Sequence, residues 1–318
     1  MLCKGITATS NWATECTVIG VRRHWISIIG FVASASAASL TRSPGPDLGR
    51  AEEFYRGTQY TRAIDALQAL PAKDAAAYAL LGKSYFMDGQ FKEAVANLER
   101  AVTEDSLNSD YYDWLGRAYG RIAERSSFLS ALKYAKKTVH AFQRAVELSP
   151  SNLEALSDLF EYYVEAPGIA GGGLDKAEDI ARRFESLNQA EYHWARARLA
   201  EKRKDLAAAE TELRAAMTAE PNQVGRMLDL AAFLSSRGRY GESEALFRAA
   251  GEQYPNAPKV LYARAAANIQ SKRKLDEAET LLGKYLQSQI TPDDPSRKEA
   301  GELIRSAQNL RAKSSQAE

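Results

Sequence analysis

The chain has 318 residues, 45% of them hydrophobic and 26% charged, the composition of a water-soluble globular or repeat protein. Forty-two Lys and Arg stand against 41 Asp and Glu, a formal charge of +1. That balance gives no global field to draw nucleic acid or an anionic membrane surface.

The first 38 residues follow their own rules. Arg22-Arg23-His24 leads into WISIIGFVASASAASL, an apolar run that grades into small residues. This is the layout of a cleavable secretory leader, with Ala33-Ser34-Ala35 and Ala35-Ser36-Ala37 as alternative cleavage ends. From Trp25 to Ala38 the run is short for a permanent membrane span. MLCKGITATSNWATECTVIG, ahead of it, has no such logic, and translation is expected to begin near Val21. Cys3 and Cys16 are the only cysteines, and both precede the cleavage ends. The mature chain would therefore lack disulfides, thiolate metal ligands, a cysteine nucleophile and a lipid-anchoring cysteine. Removing residues 1–38 takes away Lys4, Arg22, Arg23 and Glu15, which leaves a net charge near −1. The expected destination is the periplasm or the exterior, with the membrane met only during export.

A Pro/Gly linker occupies residues 39–46, and self-similarity begins beyond it. In AYALLGKSYFMDGQFKEAVANLERAV, Tyr78, Leu81 and Tyr85 surround Gly82, and Phe91, Ala94, Leu98 and Ala101 follow Gly89. YDWLGRAYGRIA repeats the first half with Tyr112, Leu115, Gly116 and Tyr119, and HAFQRAVELSPSN repeats the second with Phe142, Ala145 and Pro150. Pro221 and Pro255 stand 34 residues apart. These spacings resemble the tetratricopeptide repeat, a 34-residue helix–turn–helix unit. The resemblance implies an all-α fold: an α-solenoid of about seven units over residues 47–291, at 47–74, 75–108, 109–152, 153–189, 190–223, 224–257 and 258–291. Residues 292–318 would form a capping helix and polar tail, SRKEAGELIRSAQ being the helix that shields the last apolar face. A small residue in the first helix of a unit (Gly82, Gly116, Ala197, Ala231, Ala265) would let the second helix approach closely.

Two units depart from the period. The third carries about ten extra residues, AERSSFLSAL, which would lengthen its helices, since Ala123, Phe128 and Leu132 can share a helical face. In the fourth, APGIAGGGLDKA (Ala166–Ala177) invites comparison with a phosphate-cradling loop. Such a loop needs a preceding strand and a Gly-Lys-Ser/Thr run. Here a helical pattern precedes it, and Lys176 is followed by Ala177. The segment reads as an enlarged turn.

No residue constellation argues for catalysis. His24, His140 and His193 are the only histidines and form no metal-binding pair, and G-x-S-x-G is absent. No enzyme activity, metal or cofactor is expected. In this architecture the first helices face an inner groove, and the resemblance places Asp113, Trp114, Arg117, Arg121, Asp158, Trp194, Arg198 and Tyr262 along it. Trp114 and Trp194 are extra to the repeat's own packing positions; exposed beside arginines they would make hot spots for a protein or peptide ligand, and otherwise they pack on a neighbouring helix. The expected function is a non-catalytic scaffold that binds a protein or peptide segment, with no nucleic acid partner. The alternative is recognition of glycan or peptidoglycan as an accessory to an envelope enzyme. N-terminal sequencing of the exported protein is expected to read from the residue after Ala35 or Ala37; an uncleaved N-terminus would remove the export reading.

Overall fold

The computed structural model describes residues 46–315, and the proposed leader lies outside them. Among the described residues the chain is all helical, with fifteen α-helices and no strand. They run as seven pairs and a last single helix: α1 (Pro46–Arg56) with α2 (Tyr60–Gln68), α3 (Ala75–Met87) with α4 (Phe91–Glu104), α5 (Ser109–Glu124) with α6 (Phe128–Leu148), and α7 (Leu153–Glu165) with α8 (Leu174–Leu187). Then come α9 (Gln189–Lys202) with α10 (Leu206–Ala219), α11 (Val224–Ser236) with α12 (Tyr240–Gln253), α13 (Lys259–Gln270) with α14 (Leu275–Gln287), and α15 (Arg297–Ser315). First helices of neighbouring units touch along most of the array, whereas second helices make no comparable contact with one another. The stack therefore curves with its first helices inside, an α-solenoid closed by a final helix.

Local chemistry starts the helices where the period requires. Asn108, Asn152 and Asn188 precede α5, α7 and α9, and each side chain accepts hydrogen bonds from the first-turn backbone, as Asp74 does for α3. The pairs are held at the eighth position of each unit. A Cβ on Gly82 would lie 2.6 Å from Leu98 Cγ, and one on Gly116 would lie 2.6 Å from the Phe142 ring. Ala197, Ala231 and Ala265, at the equivalent positions, are fully buried in the same clusters as Leu213, Phe247 and Leu282. Unit four breaks the rule with Phe160, itself fully buried and edge-on to Phe184 at 6.3 Å. A large ring stands where the other units have a small residue, and in this same unit the connection between the two helices is long.

That connection is the Gly-rich segment. After α7 the chain makes one 3-10 turn (Gly168–Ala170), and the φ angles of +94° at Gly171 and +157° at Gly173 bring it into α8. A Cβ on Gly172 would sit 1.8 Å from the Ala166 carbonyl oxygen, so no other residue fits there. Lys176 Nζ donates to Gly171 O at 2.8 Å, which ties the lysine to its own turn. The unit-three insertion appears as extra length in α6, 21 residues long, whose Val139 side chain lies against Gly171. Of the residues expected on its apolar face, Phe128 is half-exposed, and its neighbour Leu129 is 77% exposed.

Because Phe142 is fully buried and has nowhere to move, Gly116→Val is expected to destabilise the protein by about 1–3 kcal/mol through overpacking. The midpoint of chemical denaturation measures this, and an unchanged midpoint would show that the α5–α6 crossing is loose.

Candidate functional site

The inner face carries an ordered chain of ion pairs that links one first helix to the next. Lys83 on α3 reaches Asp110 on α5 at 2.6 Å. Arg117 on α5 holds Glu154 and Asp158 on α7 at 2.6 and 2.5 Å, and Asp113 on its own helix at 3.0 Å. Arg198 on α9 reaches back to Glu161 and Glu165 of α7 at 2.7 and 2.8 Å, and Lys202 adds a 2.7 Å pair to Glu165. Arg226 on α11 pairs with Glu191 on α9, with Asp229 and Glu220 each 3.6 Å away. With Glu201 3.5 Å from Arg198, each of these arginines sits among at least three carboxylates, and its planar fork suits that arrangement.

Burial makes these groups interdependent. Asp113 and Asp158 are each 3% exposed, and Asp113 Oδ1 has no hydrogen-bond partner among the described residues. Burial pushes both carboxyls above their ordinary value; Arg117 opposes this, and neighbouring carboxylates add to it. Burial disfavours the charged Arg117 and Arg198, but the surrounding carboxylates outweigh it and raise both. The arginines stay charged, and removing one would strand buried acids.

The expected groove residues separate into three environments. Asp113, Arg117, Asp158 and Arg198 are brought into the ion-pair chain and are consumed by it. Trp114 and Trp194 are half-buried. Trp114 lies edge-on to Phe86 at 5.4 Å, with Arg117 and Lys83 over its ring at 4.9 and 5.3 Å. Trp194 packs on Phe160 at 5.6 Å. Both rings therefore pack on a neighbouring helix while staying partly exposed. Tyr262 is 1% exposed against Tyr285, with ring centres 5.3 Å apart, so it is core rather than surface. Arg121 stands apart, over the Phe91 ring at 5.2 Å and turned toward α15.

Sequence reasoning missed Arg226 and Asp229 as members of the chain. Reading the inner positions used for the earlier units across unit six would have found Asp229, at the sixth position. Arg226, at the third, falls outside that pattern. What remains open to solvent is one side of the chain: the side chains of Asp110, Glu154 and Glu165 are 46%, 40% and 34% exposed.

No protein-family model matches the chain, and comparison with curated proteins gives no match either. Solved structures do resemble it. A tetratricopeptide repeat protein from Parabacteroides merdae aligns with a TM-score of 0.53 at 14% identity, covering 82% of this chain and 97% of that one. The chain has the tetratricopeptide-repeat fold. Human IFIT1, solved as a dimer with PPP-AAAA, aligns with a TM-score of 0.51 at 16% identity, over 76% of this chain and 54% of that one. At such identities the likeness concerns the tetratricopeptide-repeat fold alone, a fold that serves in protein–protein interaction scaffolds, and ligand chemistry has to be argued from this chain's residues.

Asp229 makes the electrostatics of the inner face measurable. Burial raises its carboxyl from 3.8 to about 6, opposed by Arg226 and Arg198 and reinforced by Glu191 and Glu201. A folded-state pKa above the unfolded one means that the folded chain holds the proton more tightly. Its stabilising contribution is complete below 3.8 and is lost as pH rises through about 6. Asp229→Asn is neutral at every pH and is expected to lose that part of the pH dependence. Denaturation midpoints of wild type and variant should diverge across this interval, and parallel curves would refute the shift.

Proposed function

We propose that the protein is a non-catalytic scaffold of the cell envelope whose inner groove holds a segment of another protein. The observation that carries this reading is the chain of ion pairs on the first helices, whose arginines are fixed by buried acids while the side chains of Asp110, Glu154 and Glu165 stay partly exposed. Such preorganised, partly exposed carboxylates can accept further hydrogen bonds from a bound segment without first ordering themselves. Asp113, Arg117, Asp158 and Arg198 serve the groove by holding these acceptors in place, with Trp114 and Trp194 as apolar supports beneath them. Export rests on the basic and apolar leader read in the sequence.

Protein is favoured over glycan by the state of the two tryptophans. A sugar ring stacks on an open aromatic face, whereas Lys83 and Arg117 lie over Trp114 and Phe160 backs Trp194.

The test is to select peptides from a displayed library on the purified protein and to measure their affinity for wild type, Asp110→Lys and Glu154→Lys. Each reversal is expected to weaken the selected peptides about tenfold or more, roughly 1.4 kcal/mol. Equal affinity for all three proteins would place the contact off the inner face and end the groove reading.

A further inference from the structure

The last helix does more than cover the apolar end of the array. One stripe of α15, Ala300, Leu303 and Ala307, is buried with Tyr262, Leu282 and Tyr285 of α13 and α14. An adjacent stripe reaches across to the other end of the chain. Arg297 Nη1 donates to Thr58 Oγ1 at 2.7 Å, in the α1–α2 turn, and Lys298 Nζ donates to the Asp88 carbonyl at 3.1 Å, at the end of α3. Glu299 and Glu302, one turn apart, face Arg121 and Arg125 at the C-terminal end of α5, at 3.5 and 3.8 Å. The superhelix therefore meets itself, and its first three units touch its last helix.

This seam differs from the interfaces within the array, where ion pairs accompany a buried apolar layer. The units are joined by fully buried aliphatic and aromatic side chains, whereas the seam contacts are polar and made by the ends of long side chains. A cavity of about 350 Å³ remains beside it, bordered by Tyr60, Met87 and Arg297. Both ion pairs of the seam are longer than the 2.5–2.8 Å pairs that join α5 to α7 and α7 to α9. Partly exposed pairs of this length are weak and salt-screened. On the α5 side, by contrast, the receiving surface is built independently of α15. The Arg121 and Arg125 guanidinium groups both lie over the Phe91 ring, at 5.2 and 4.5 Å, and Glu124 of α5 itself holds Arg121 at 3.2 Å, so the two cations are placed side by side by their own helix at a spacing that matches carboxylates one helical turn apart.

We infer that this α5 edge is a receptor for an acidic helix of a partner protein, and that α15 is its resident occupant. The partner segment presents two carboxylates three positions apart, as Glu299 and Glu302 do, and takes the seam by displacing them while α15 stays docked through Ala300, Leu303 and Ala307. The inference rests on the scaffold reading and names the chemistry of one ligand.

Glu299 also accepts from the Ser296 backbone N–H at 3.0 Å as part of the cap of α15, a role that Gln can fill. Glu299→Gln/Glu302→Arg therefore opens the seam without removing the cap. Two readouts on the whole protein test the inference. Small-angle X-ray scattering is expected to give a larger radius of gyration for this variant than for wild type, and adding Arg125→Glu to it should restore the compact value. A labelled peptide with the sequence of residues 296–315 is expected to bind the opened variant about tenfold more tightly than wild type, because the resident occupant no longer competes. The same peptide with both Glu replaced by Gln should not bind, nor should the first peptide bind an Arg121→Glu/Arg125→Glu protein. An unchanged radius overturns the seam. An opened seam that ignores the peptide, or takes the Gln peptide equally well, overturns the receptor. Either failure leaves the displayed-peptide test of the inner groove standing by itself.

Discussion

The structure depends on how closely the two helices of each unit approach at one position. Where the first helix offers Gly82, Gly116, Ala197, Ala231 or Ala265, the second helix lays a large apolar side chain directly against its backbone. Dispersion contacts fall off steeply with separation, so a methyl group more or less at that point sets the angle of the whole pair. Phe160 shows the reverse case. A ring fills the crossing of α7 and α8, and the same unit has the longer connection in which only glycine fits at residue 172. The Gly-rich segment is thus accounted for as a turn, with Lys176 tied to the Gly171 carbonyl.

Ion pairs along the inner face act at the next level, between units. Taking an arginine and three carboxylates out of water costs nearly as much as their attraction returns, so such clusters are weak sources of net stability. What they impose is geometry. Arg117 can satisfy Glu154 and Asp158 together only if α7 lies at one height and one rotation against α5, and Arg198 makes the same demand of α7 from the other side. Apolar surfaces alone would tolerate sliding. The ion pairs are met together only in the register that the stack adopts.

How much of this could be read in the sequence follows from the distances involved. The helices and their pairing were legible because they depend on residues within one period, such as the recurring Tyr, Leu, Gly and Tyr of α3 and α5. The enlarged turn was legible because its lysine lacks the neighbours that phosphate binding needs. The state of the inner-face residues was not legible, because it is decided by partners in the next unit. Arg117 finds Asp158 forty-one residues away, and nothing in α5 announces that meeting. Trp114 and Trp194 looked surplus to the repeat's packing because the pattern describes one unit at a time, whereas the faces they cover belong to α3 and α7. The contact of α15 with α5 lies further still from any periodic signal.

That contact changes how the molecule should come apart. An open array of repeats melts from its ends, since a terminal unit has one neighbour and can unzip without disturbing the far side. Here the first units and the last helix also touch through the polar seam, so fraying of either end has those contacts to break as well. The array behaves as a loop rather than a line. Opening the seam at residue 297 frees residue 58 as well, although 239 positions separate them.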